Sequence, residues 1–249
     1  VPFFSVRLAQ LDGIVDIDVL EAFPLGRLRQ FAVENFLVET AILFNSLLYP
    51  TPGRTLVFDI GGGSTELVLL ERGRRARSPL RMLAWLSIPW GVVSLGESEP
   101  RDAGSPAARL EAYQRMKARV SAHLKPLRPL VDANVQLLGA SGTVTTLASL
   151  NMGLAQYDRR RVDGSEALTA ELVALSHDLA IKSPPERAAV PGVGHDRADL
   201  VVAGSAILEA LIDLGRSPRL RVADRGIREG ILRSMFARED AGRPERKPA

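Results

Sequence analysis

Apolar and polar positions divide this chain into short strand-like runs followed by longer helical stripes. The runs Leu56-Val57-Phe58 and Leu67-Val68-Leu69-Leu70 lie close together, with Asp59-Ile60-Gly61-Gly62-Gly63-Ser64-Thr65-Glu66 between them. That spacing predicts strand, glycine turn, strand. Leu110, Tyr113, Met116, Val120 and Leu124 recur at three- and four-residue steps and predict an amphipathic helix. Leu172, Leu175 and Leu179 predict another, ending near Lys182-Ser183-Pro184-Pro185. Leu200, Ala203, Ile207, Leu211 and Leu214 predict a third, stopped by Gly215 and Pro218. Leu220–Ala223 is short enough for a final strand, with a helix expected from Ile227 to about Phe236. Strands clustered as hairpins before residue 96, then alternating with helices, give an α/β domain.

The glycine turn carries the first candidate chemistry. Successive glycines let a chain turn tightly, with positive φ where needed, and let amides approach an anion. Ser64 and Thr65 add hydroxyl donors; Asp59 and Glu66 bracket the turn with carboxylates. Taken alone, such a hairpin can be no more than a tight connection. A second loop changes the balance. Val135-Gln136-Leu137-Leu138 reads as a strand and runs into Gly139-Ala140-Ser141-Gly142-Thr143, then a helix with Ser141 or Thr143 as N-cap. Strand, glycine loop and helix N-terminus together form a common phosphate-binding geometry.

Further blocks lie downstream: Arg197-Ala198-Asp199-Leu200-Val201-Val202-Ala203-Gly204 and Arg225-Gly226-Ile227-Arg228-Glu229-Gly230. Trp85–Val93, Tyr157-Asp158, Val162-Asp163-Gly164, and Glu186-Arg187 before Pro191-Gly192 complete the set. In this order, from about Gly53 to Phe236, the motifs resemble the exopolyphosphatase and guanosine pentaphosphate phosphohydrolase family. The resemblance implies an α/β, ribonuclease H-like fold of the actin-like ATPase superfamily, with a mixed sheet flanked by helices. It also implies metal-assisted hydrolysis of a terminal phosphoanhydride, with polyphosphate or guanosine pentaphosphate as substrate and Mg2+ or another divalent cation as cofactor. On that reading Gly61, Gly62, Gly63, Ser64 and Thr65 cradle phosphate. Asp59 holds the metal, Glu66 orients water or metal, and Gly142, Thr143 and Arg197 contact further phosphate. Arg228 reads equally as a structural helix-terminal charge.

The first fifty residues depart from the family pattern. Only Ser5-Val6-Arg7-Leu8 is similar to the end of its first phosphate loop, and neither Glu34 nor Glu39 sits in the setting of its catalytic glutamate. A start at Val1 suggests a fragment or a processed or rearranged product. The expected organisation is a divergent remnant or docking helix over 1–50, an actin-like domain over 51–236 and a frayed, charged tail over 237–249. An apolar face within Phe31–Leu48 would pair with a second copy as a homodimer, or with a missing first domain.

Composition removes several alternatives. With 32 Lys and Arg against 29 Asp and Glu, the net charge of +3 gives no strong field, and specific nucleic-acid binding does not follow. Arg72, Arg74, Arg75 and Arg77 decorate a hairpin turn. The absence of cysteine excludes disulfides and thiol chemistry and is compatible with a cytoplasmic setting. No apolar run reaches the roughly eighteen residues of a membrane span. His195, after Gly192-Val193-Gly194, reads as a loop histidine without spaced partner ligands.

Overall fold

A computed structural model describes residues 3–8, 15–20, 47–48, 51, 53–73, 80–100, 102–131 and 134–224, the first two segments as backbone alone. Its centre is an eight-stranded mixed sheet in the order β1-β2-β5-β4-β3-β6-β8-β7. The strands are β1 (Phe3–Leu8), β2 (Val15–Leu20), β3 (Gly53–Ile60), β4 (Thr65–Arg72), β5 (Leu80–Ile88), β6 (Gln136–Ala140), β7 (Glu166–Leu168) and β8 (Arg219–Ala223). β3, β4 and β5 form the expected antiparallel meander, while β6 joins β3 in parallel and β8 joins β6 in parallel. The expectation for the first fifty residues gains a detail. β1 and β2 form a hairpin, and Asp16 and Ile17 of β2 pair in parallel with Arg81 and Met82. Those two strands extend the same sheet.

The helices are α1 (Val92–Gly96), α2 (Pro106–His123), α3 (Gly142–Asn151), α4 (Arg159–Val162), α5 (Thr169–Ile181), α6 (Pro184–Ala188), α7 (Gly194–Ala198) and α8 (Leu200–Gly215). Period-two alternation sorts the strand residues between two apolar clusters. Leu56, Phe58, Ile60, Leu67, Leu69 and Leu137 meet the helices, whereas Val57, Val68, Leu70 and Leu138 face the other side with Leu48. The predicted stripes hold: Tyr113, Met116, Val120, Leu172, Leu179, Ile207 and Leu211 are all buried.

α8 is buried on nearly every side because it packs against α1, α2, α3 and α5. Glycines allow its closest approaches. A Cβ on Gly204 would stand 2.1 Å from Thr143 Oγ1, and one on Gly215 would stand 2.6 Å from Leu137 Cδ2. One carboxylate lies in this packed layer. Glu209 accepts hydrogen bonds from Tyr113 Oη (2.5 Å) and Lys117 Nζ (2.6 Å), and His177 Nε2 lies 2.9 Å from it. Burial alone would raise its pKa, but these partners outweigh burial and hold it below the ordinary carboxylate value. His177 therefore belongs to a structural tie among α2, α5 and α8.

The expected helix over Ile227–Phe236, the tail, Arg74, Arg75, Arg77, Arg228, Glu34 and Glu39 lie outside the described residues. So does the apolar segment Phe31–Leu48, except its last two residues.

Candidate active site

β3 and β4 pair in register from Gly53↔Arg72 to Ile60↔Thr65, leaving Gly61–Ser64 as the turn. Gly61 N donates to Ser64 O (2.9 Å) and closes it. Against expectation, Gly61, Gly62 and Gly63 are not among the glycines with positive φ. Space is what the turn requires. Gly91 lies directly on it, and a Cβ there would stand 2.4 Å from Gly62 C and 2.5 Å from the oxygens of Gly61 and Gly62.

The start of α1 grips the turn by its carbonyls. Val92 N donates to Gly61 O (2.9 Å) and Val93 N to Gly62 O (2.8 Å), while Ser94 Oγ donates to Gly63 O (3.1 Å). In a trans peptide the carbonyl and the following N–H point in opposite directions. Turning these three carbonyls towards α1 therefore aims the amides of Gly62, Gly63 and Ser64 away from it. Three successive amides on that side of the turn are thus left without acceptors among the described residues.

The side chains divide differently from expectation. Thr65 is fully buried and its hydroxyl donates to Trp90 O (2.7 Å). Ser64 Oγ donates to Glu66 Oε1 (2.6 Å), which also accepts from Ser87 Oγ (3.1 Å). Both hydroxyl protons are thus committed within the protein, and this corrects the picture of hydroxyls aimed at phosphate.

Asp59 and Glu66 are direct partners across the hairpin, so their side chains leave the same face of the sheet. The Asp59 carboxylate receives no hydrogen bond among the described residues. Burial first, and repulsion from Glu66 second, push its pKa up to about 6. A half-buried carboxylate beside a second one is a site where a cation would relieve electrostatic cost. One or two carboxylates, with phosphate and water completing the shell, suit Mg2+. The residues present fit that ion. No cluster of three or more His, Cys, Asp or Glu able to hold a metal occurs among the described residues.

The second loop stands beside the first because β3 and β6 are parallel neighbours, Asp59 next to Ala140. Ser141 is the N-cap of α3: its Oγ accepts from Val144 N (3.0 Å). The amides of Gly142 and Thr143 have no acceptor among the described residues. Gly142 is exposed, whereas the Thr143 side chain is buried against Gly204. Thr143 thus turns its side chain into the core, and its backbone amide is left unpaired among the described residues. Gly139 admits the Phe58 ring, 2.7 Å from where its Cβ would lie. Arg197 is exposed on α7 and donates through Nη1 to Thr146 Oγ1 (2.6 Å) in the second turn of α3. It stands beside the second loop.

His195 lies within α7 rather than in a loop, because a short helical turn continues from Gly194. His123 is exposed and packs in a T-shaped arrangement with Trp90. The grip of α1, with Ser87 and Ser94, escaped residue-by-residue reading of the sequence. Only the resemblance over Trp85–Val93 marked that stretch.

The profile of the Ppx/GppA phosphatase family matches residues 39–239. The chain belongs to that family. A putative exopolyphosphatase of Haemophilus influenzae is 29% identical over 191 residues, covering 75% of this chain and 53% of that protein. Exopolyphosphatase 2 of Mycobacterium tuberculosis is 28% identical, with 72% and 55% covered. A guanosine-5'-triphosphate,3'-diphosphate pyrophosphatase of Vibrio atlanticus is 27% identical, with 81% and 39% covered. The chain thus spans about half the length, or less, of these curated relatives. Among solved structures, the Aquifex aeolicus Ppx/GppA family member superposes with a TM-score of 0.66 at 26% identity, covering 84% of this chain and 63% of that one. The mixed sheet flanked by helices is accordingly the actin-like, ribonuclease H-like fold of this family. No helix among the described residues is long and apolar enough to cross a membrane.

Proposed function

We propose that this chain supplies the phosphate-holding half of a cleft that hydrolyses a terminal phosphoanhydride, in polyphosphate or guanosine pentaphosphate. One observation carries the reading. Parallel pairing of β3 and β6 sets the free amides of Gly62, Gly63 and Ser64 beside those of Gly142 and Thr143, next to the Asp59–Glu66 pair. Amides in this arrangement stabilise negative charge on phosphoryl oxygens without reorganising. Asp59, with Glu66 beside it, would hold Mg2+ or another divalent cation. Such an ion supplies Lewis-acid stabilisation of the charge that develops on phosphate. Glu66, fixed by Ser64 and Ser87, orients a water through its carboxylate. Arg197 offers a guanidinium to a phosphate at the second loop. The relatives named exopolyphosphatase and guanosine pentaphosphate pyrophosphatase support the substrate class.

Phosphate release from long-chain polyphosphate and from guanosine pentaphosphate, with and without Mg2+, tests this proposal. Metal-dependent release is expected, and Glu66→Gln should lower it by about a hundredfold or more. Binding of polyphosphate without release would replace hydrolysis by a binding-only module. Undiminished release in a folded Glu66→Gln protein would remove Glu66 from the mechanism.

A further inference from the structure

An arginine-lined groove opens on the same edge of the sheet as the two glycine loops. Asp59 pairs with Ala140, and Ala140 pairs with Ala223. The end of β8 therefore lies two strands from Asp59, about 10 Å at ~4.8 Å per strand. α4 is tied to that end: Asp224 N donates to Asp163 Oδ1 (3.1 Å), and Arg159 Nη2 donates to Asp224 O (2.6 Å). α4 also packs against α3. The groove, about 610 Å³ and lined by residues 153–161, thus lies at the β8 end of the sheet edge that carries both loops.

Its carboxylates are occupied. Asp158 Oδ1 accepts from Arg160 N (2.9 Å), and Asp224 pairs with Arg159 (3.2 Å). Arg160 and Arg161 are exposed, and neither guanidinium has a hydrogen-bond or ion-pair partner among the described residues. Adjacent like charges repel, and a polyanion relieves that repulsion. Guanidinium groups match phosphate oxygens in a fork geometry.

We propose that Arg160 and Arg161 form a second anion subsite, which holds the trailing phosphates of a linear polyphosphate whose terminal phosphate sits at the glycine loops. The inference rests on the phosphate site proposed above. Trailing phosphates are present only on longer chains, so the subsite makes affinity depend on chain length.

Equilibrium binding of tripolyphosphate and of a long linear polyphosphate, at equal chain concentrations and fixed salt, provides the test. The proteins are wild type, Arg160→Gln/Arg161→Gln, and Lys125→Gln/Arg128→Gln, which removes the same charge at the opposite edge. The first double variant should bind the long chain about tenfold more weakly, with tripolyphosphate unchanged. The second should match wild type for both ligands. Equal losses for both chain lengths, equal losses in both variants, or no loss would overturn the subsite while leaving the glycine-loop site standing. Failure of wild type to bind either anion would overturn the phosphate site and the subsite together.

Discussion

Asp59→Asn is expected to abolish metal-dependent phosphate release and, at pH 8, to stabilise the protein by about 1–3 kcal/mol. Both effects share one cause. Burial and Glu66 raise the Asp59 pKa from 3.8 to about 6. The native state then binds the proton more tightly than the unfolded chain does. Stability falls as pH rises through that window, and the cost is complete above pH 6 or so. Below about pH 4 both states hold the proton and the cost disappears. Asparagine removes the ionisable group, so the gain should be present at pH 8 and absent near pH 3.5. Urea denaturation of both proteins at the two pH values measures it. Mg2+ affinity of wild type should also rise through pH 6, as the carboxylate loses its proton. Equal stability of the two proteins at pH 8 would mean that Asp59 is not held under electrostatic cost.

Gly91→Ala should destabilise the protein by about 2–4 kcal/mol and eliminate phosphate binding. The added methyl would meet backbone atoms of Gly61 and Gly62 at 2.4–2.5 Å, and no side-chain rotation can relieve that contact. Either α1 or the turn must move. In both cases the carbonyls of Gly61 and Gly62 lose Val92 N and Val93 N, and the amides of the turn lose their orientation. Gly63→Ala is the matched contrast. A Cβ at Gly63 meets nothing within 4 Å, so stability should stay within about 0.5 kcal/mol. Its methyl would nevertheless stand on the open turn and weaken tripolyphosphate binding. Urea midpoints with tripolyphosphate titration separate the two cases. A Gly91→Ala protein as stable as wild type would show that α1 does not hold the turn.

The hairpin was legible in the sequence because two apolar runs flank an uninterrupted glycine triplet. The N-cap of α3 was legible for a similar reason, since Ser141 precedes a continuous helical stretch. Thr65 was misassigned although the signal was present. It shares parity with Leu67 and Leu69, which face the helices, whereas Glu66 shares parity with Val68 and Leu70. Strand alternation alone places Thr65 inside and Glu66 with Asp59 on the opposite face. α1 was not legible. Five residues are too few for a helical period, and its amides are satisfied by a turn thirty residues upstream in sequence. β7 is likewise three residues long and owes its existence to pairing with β8. Arg160 and Arg161 carry no signal in the sequence, since only the β8 edge reveals that they neighbour α3.

The measurement that bears most directly on the site is a tripolyphosphate titration, with Mg2+, followed by backbone amide resonances of the 15N-labelled chain. The account predicts saturable shifts concentrated at Gly62, Gly63, Ser64, Gly142 and Thr143, and weakened in Asp59→Asn. Saturable binding that leaves those five amides unmoved would contradict it.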